Sequence, residues 1–152
     1  MLTNIPWTPP LLPLPATLPY YVRATGLPVG TSGAPADIGT VQIVLPPGAT
    51  HWIVGGGWVA GPPAWQPNFL VNDTGSGLTA TFQLYTAADG GGSALMPAST
   101  VAPVLGSATP LGTVSSTTGT PVRSETVLYV RQVTNSAVAG TISVYLMIVP
   151  LP

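Results

Sequence analysis

Groups that could act on a substrate or hold an ion are few and scattered along this chain. His51 is the only histidine and there is no cysteine. Disulfides and thiolate sites are therefore excluded, and a zinc site, which needs three or four nitrogen or sulfur ligands, has no donor set. His51 stands beside Trp52 at the start of an apolar run and reads as a strand-edge residue. Serine and threonine are abundant, but no GxSxG is present. One histidine also leaves a nucleophile, base and orienter set with little to draw on. Asp73 in VNDTGSG and Asp89 in AADGGG lie in turn sequences without the DxDxDG spacing of a calcium loop, and they read as Asx-type turns. Asp37 in APADIG is of the same ordinary kind. The run Gly55 to Gly57 precedes neither a helical pattern nor a GK[ST] sequence, so it reads as a bulge or bend and not as a phosphate loop. No catalytic residue, metal or cofactor is expected.

The remaining candidates are residues that make contacts. Trp52 and Trp58 share strand parity and are expected in the core. Trp7 in IPWTPP and Trp65 in PPAWQP lie between prolines, where tryptophan can anchor a subunit interface or stack on a sugar ring. Arg123, Glu125 and Arg131 fall close together, and Arg123 and Glu125 are of like parity and could pair. In so uncharged a chain these three are candidates for registering a neighbouring molecule.

Only Arg23, Arg123, Arg131, Asp37, Asp73, Asp89 and Glu125 are charged, 5% of the chain, and lysine is absent. About 25% is usual for a soluble domain. The mean hydropathy is +0.47. A large, nearly uncharged surface points to contact with other protein chains or with lipid. Three arginines cannot make a nucleic-acid footprint, which needs clustered cations. No apolar run approaches the ~18 residues of a membrane-spanning helix. Prolines and glycines also break the strands too early for a membrane barrel, so no membrane is expected. The first residues lack the basic region and continuous apolar core of an export signal, which favours a product assembled in the cytoplasm.

The elements that must carry these residues are strands. The run Thr141 to Val149 sets Ile142, Val144, Leu146 and Ile148 on one side of a period-two pattern, and Thr126 to Val133 is a second branched run. With the polar gap Thr134 to Gly140 between them they are expected to form a hairpin, ended by Pro150. VQIVLPPG gives a strand with Val41, Ile43 and Leu45 on one face. ATHWIVGGGWVAGPP carries a further strand pattern, with Trp52, Val54 and Trp58 of one parity and Gly55 to Gly57 between them, and Asn68 to Val71 is another short strand. In LTATFQLY, Leu78, Ala80, Phe82 and Leu84 point inward. Ser99 to Leu105 and Leu111 to Ser116 are weak candidates whose prolines argue for sheet edges. One helical turn is conceivable at Ala94 to Ala98.

About eight strands spaced by turns predict an all-β chain, a single antiparallel β-sandwich of jelly-roll type over residues 37–152. Residues 1–36 are expected to be an extended Pro-rich arm and loop, punctuated from Pro6 to Pro28. Trp7, Leu11, Leu12, Leu14, Tyr20 and Tyr21 make this arm apolar, so it is expected to dock on its own domain or on a neighbour. A polyproline segment of about 25 residues spans up to about 75 Å.

The sequence TVLYVRQVTNSAVAGTISVYLMIVPLP, with AGT leading into a final apolar strand, resembles the closing hairpin of small β-sandwich proteins in tailed-bacteriophage virions. VLPPGATHWI followed by LTATFQLYTAADGGG is similar to their middle strands. The likeness covers residues 40–152 and rests on pattern. It implies a head decoration, or cement, protein or a related jelly-roll module of fibres and spikes. Such proteins form homotrimers, bind the major capsid protein on the capsid surface and carry no catalytic residues. The competing reading is a fibre-tip or lectin-like sandwich that recognises a host glycan through Trp65.

Overall fold

The structure is a computed structural model, and it describes residues 19–54, 68–96, 98–111 and 123–152. These carry nine strands: β1 (Tyr20–Val29), β2 (Ala36–Gln42), β3 (His51–Val54), β4 (Phe69–Asn72), β5 (Thr81–Tyr85), β6 (Ser99–Thr100), β7 (Ala108–Pro110), β8 (Val127–Gln132) and β9 (Gly140–Leu151). A single 3-10 turn at Ala88–Gly90 is the one helical feature among them. No described helix is long and apolar enough to cross a membrane.

Two antiparallel sheets face each other. One has the order β1-β9-β4-β7, with β3 also paired to β9, and the other has the order β2-β8-β5-β6. The pairs β1·β9, β2·β8, β4·β7 and β5·β6 are nested about the β5–β6 connection. Leaving β3 aside, the chain is one long antiparallel ribbon, tipped at β5–β6 and rolled up. That is the topology of a jelly roll. β6 and β7 lie at the ends of their sheets, as expected of these two proline-bearing stretches, but β7 ends at Pro110, before the expected Leu111 to Ser116, of which 112–116 lie outside the described residues.

The expected closing hairpin is not formed. β8 pairs with β2 and β5 in one sheet, whereas β9 pairs with β1, β3 and β4 in the other. Each run is apolar enough to be a central strand, and a two-layer core needs one central strand on each side. The connection therefore crosses between sheets. Gln132, at the end of β8, is buried and holds the crossing. Its side-chain oxygen accepts from Gly30 N–H at 2.8 Å, and its amide donates to the carbonyls of Gly30 at 2.7 Å and Thr134 at 3.0 Å.

β9 is the axis of its sheet. One edge pairs with β1 over Gly140 to Ile148; the other pairs with β4 at Ile142 to Tyr145 and with β3 at Ile148 to Leu151. In the gap between β4 and β3, Met147 N–H donates to the Asn68 side-chain oxygen at 2.9 Å, so a side chain stands in for the missing ladder bond. Pro150 does not end the strand, which runs to Leu151. Odd-numbered residues of β9 point their N–H and C=O groups toward β3 and β4, as in Asp73 N–H to Thr141 O and Thr50 N–H to Leu151 O. Pro150 thus lacks its donor on the opposite side, beyond the last β1 pair at Tyr20.

The sandwich begins at Tyr20, not at residue 37. Residues 20–29, expected as arm and loop, are a strand of the first sheet. The prolines and glycines that disguise it have local roles. The register of β1 shifts between Ala24 and Leu27, with Gly26 at φ 65°. This bulge switches parity, so that Val22 before it and Leu27 and Val29 after it all face the core. β2 has its own shift between Asp37 and Gly39, where a side chain on Gly39 would run into Leu27.

The core contains the expected Val41, Ile43, Trp52, Leu78, Ala80, Phe82, Leu84, Ile142, Val144, Leu146 and Ile148. Ala94 bridges to Tyr85 and Leu95 N–H donates to Leu84 O, so this stretch is extended rather than a helical turn. Trp58 and the run Gly55 to Gly57 lie outside the described residues. In the VNDTGSG turn it is Asn72, not Asp73, that supplies the Asx geometry. Fully buried, its oxygen accepts from Thr74 and Gly75 N–H at 2.9 and 2.8 Å, and its amide donates to Gly75 O and Ala102 O at 3.0 and 2.8 Å. Replacing Asn72 by Ala leaves these backbone groups buried and unpaired. We expect Asn72→Ala to lower stability by about 2 to 3 kcal/mol in urea unfolding, with native strand content by circular dichroism.

Candidate functional site

The two outer faces and the two ends of the sandwich are where this chain can meet another molecule. On the outer face of the second sheet, Arg131 of β8 lies opposite Asp37 of β2 and makes the one ion pair among the described residues, at 3.1 Å. The same guanidinium donates to Pro35 O at 2.8 Å. The other Asp37 oxygen accepts Asp89 N–H at 2.7 Å, with Asp89 held at φ 58° in the 3-10 turn. Arg131, Asp37 and the 88–90 turn form one closed unit. It fixes the β5–β6 connection against the sheet and leaves little of Arg131 for a partner. Beside it, Tyr85 donates to Gln83, and Gln83 donates to Met96 O.

The outer face of the first sheet is aromatic. Arg23, Tyr145, Phe69 and Pro110 are in register across β1, β9, β4 and β7. The Phe69 and Tyr145 rings stack at 4.9 Å with planes 17° apart, and Tyr21 meets Phe69 at 6.5 Å, tilted by 59°. Two stacked rings turn one face each toward the other, so they fasten β4 to β9 instead of forming a flat platform for a sugar. Ser143 is buried on this face and donates to Asp73 at 2.6 Å.

At one end, Trp52 closes the space between the sheets. Its backbone exchanges two hydrogen bonds with Arg123, each 2.8 Å, and its buried indole donates to Glu125 O at 2.6 Å. Arg123 and Glu125 do not form the ion pair that their parity suggested. Arg123 Nε and Glu125 Oε2 are instead buried with no hydrogen-bond partner among the described residues. Segment 123–126 steps from one sheet to the other, as Ile43 N–H to Thr126 O shows, so alternation along a single strand does not apply to it. His51 is exposed, with Thr50 Oγ1 at 2.7 Å from its Nδ1. Among the described residues no three His, Asp or Glu side chains come together.

Tyr20 and Tyr21 belong to β1. Tyr20 donates its hydroxyl to Val44 O, and burial raises the pKa of both phenols above the ordinary value. Trp7, Leu11, Leu12, Leu14 and Trp65 lie outside the described residues. Besides Tyr21 on the outer face and Val138 in the β8–β9 connection, the exposed large apolar residues described are Val44, 69% exposed, near Tyr20, and Val104 and Leu105, 60% and 67% exposed, in the β6–β7 loop beside Gly75. Two contacts had no signal in the sequence. Asp37 is ninety-four positions from Arg131, and Phe69 and Tyr145 meet only through the register of β4 on β9.

The topology defines the class of the protein as a jelly-roll β-sandwich. Comparison with protein-family models, curated proteins and solved structures finds no match to this chain. The Arg131 unit gives a direct test. Arg131→Ala removes two charge-assisted bonds from a site only 17% exposed. It is expected to cost about 1.5 to 3 kcal/mol in denaturant unfolding, whereas Arg23→Ala, on an exposed side chain that bonds to no described residue, should change stability by less than about 0.5 kcal/mol.

Proposed function

We propose that this protein is a virion structural component, a head decoration or cement protein that binds and stabilises a capsid lattice. In this reading it does no chemistry and needs no cofactor. It sits on the capsid surface, associates with copies of itself, three in the arrangement the resemblance implies, and contacts the major capsid protein.

The observation that carries the reading is how little ionised surface the sandwich offers. Of the seven charged residues, Arg131 and Asp37 are spent on each other. The ends expose Val44, Val104 and Leu105. A domain that lives free in water ordinarily keeps a charged exterior, and one covered in an assembly does not require it. Jelly rolls serve both capsid and lectin domains, so the fold alone does not choose between them. What favours the structural reading over a glycan reading is that Trp52 is wholly buried and the Phe69 and Tyr145 rings face one another.

The leading segment, with Trp7, Leu11, Leu12 and Leu14, supplies the reach onto the lattice in this proposal. Since β1 starts at Tyr20, its removal must stop at residue 18 to spare the first sheet. Deleting residues 1–18 is expected to leave the unfolding midpoint of the sandwich within a few degrees of the full chain while strongly reducing occupancy on capsids, measured by co-sedimentation. Quantitative mass spectrometry of purified particles should find this chain at lattice stoichiometry. A few copies per particle would favour the fibre reading, and absence from particles would remove the proposal.

A further inference from the structure

We propose that the free edge of β1 pairs with β1 of a second copy of this chain, antiparallel, about a two-fold axis at Val22. This goes beyond the capsid-binding reading and does not depend on it.

The direction of the backbone groups sets out the case. Odd-numbered residues of β9 point toward β3 and β4, so the even-numbered ones serve β1. Their partners are Tyr20, Val22 and Ala24, paired with Ile148, Leu146 and Val144. The N–H and C=O groups of Tyr21 and Arg23 therefore point away from the sheet, and no described residue takes them.

Such an edge is normally guarded by a short length, a bulge, proline or charge. The other edges are guarded. β6 has two residues, and β7 has three and contains Pro110. β2 is bulged at Ile38, and the outer edge of β3 is taken by Arg123. In β1 the bulge at Gly26 and Pro28 protect the second half only. The first half, Tyr20 to Ala24, is regular and carries one charge.

Three registers bring outward-pointing residues together. Tyr21 opposite Tyr21 sets Arg23 against Pro19, which has no N–H to give. Arg23 opposite Arg23 sets like charges face to face, which is destabilising, and carries Tyr21 to the edge of the bulge. Tyr21 opposite Arg23 has neither fault. Both Tyr21–Arg23 pairs can then exchange two N–H···O bonds each. The exposed Arg23 and the 46% exposed Tyr21 share the outer face, so each guanidinium meets its partner's phenol ring, a favourable cation–π contact. The result joins the two first sheets into one continuous sheet.

Sedimentation equilibrium of the full chain over a wide concentration range tests this, with two variants that alter exposed side chains only. Free of any capsid, where the threefold grouping proposed above has no lattice to form on, the native chain is expected to be in monomer–dimer equilibrium. Tyr21→Arg places Arg opposite Arg twice and should raise the dimer Kd about tenfold or more. The double variant Y21R/R23E sets Arg opposite Glu in this register alone, and should return Kd to near the native value. A chain that is only monomeric, or that forms trimers without dimers, would overturn the proposal. So would an unchanged Kd for Tyr21→Arg or a double variant no tighter than the single one.

Discussion

β9 is the constraint on which the fold depends. It is the longest strand and the one described strand that pairs with three others, and Ile142, Val144, Leu146 and Ile148 have no exposed surface. Ser143 and Met147, on its other face, are buried as well. A strand covered on both faces must have every backbone group satisfied without water. β9 meets this with three partner strands and one borrowed side chain, that of Asn68. The position of Pro150 follows from the same accounting, since its missing donor falls past the end of β1. Removing any of these partners exposes part of the axis, so the first sheet is a cooperative unit centred on β9.

The second sheet is secured by polar groups to a greater degree. Gln132 links the end of β8 to Gly30, and Arg131 links the middle of β8 to Asp37 and to the 88–90 turn. Asn72 performs the corresponding task beyond β4, tying its own turn to Ala102 before β7. Arg131 and Asp37 join elements of one sheet, whereas Gln132 and Asn72 stand at the places where the rolled ribbon changes sheet. In such places the backbone leaves its ladder and needs other partners. With so few charges available, the chain uses amides where other domains would use ion pairs. An amide carries both donor and acceptor and costs less to bury than an ionised group.

Strand positions were legible where one face is apolar and the other polar, as in Leu78 to Leu84 and Ile142 to Ile148, because burial follows parity there. Edge placement of β6 and β7 was legible through their prolines. β1 was not. Its pattern changes phase at Gly26, and a bulge looks in sequence like the end of a strand. The pairing of β8 with β9 was misjudged for a related reason. Two adjacent apolar runs with a short polar gap fit either a hairpin or a crossing between sheets, and parity within each run does not distinguish them. Contacts between distant residues, such as Asp37 with Arg131 or Phe69 with Tyr145, depend on register across strands, which no local pattern encodes.

The correction to the hairpin bears on where this molecule can bind. Were β8 and β9 adjacent, the first sheet would have a different edge and β1 would be an appendage. Because β8 belongs to the second sheet, β1 is the edge of the first, and the apolar leading segment issues directly from that edge at Pro19. The sandwich therefore concentrates its unguarded backbone, its exposed Tyr21 and Arg23 and the start of its arm on one border. The topology leaves the first half of β1 as a sheet edge whose outward backbone groups no described residue takes, and it separates that border from the Val104 and Leu105 loop, which adjoins the Gly75 turn at the far end of β9.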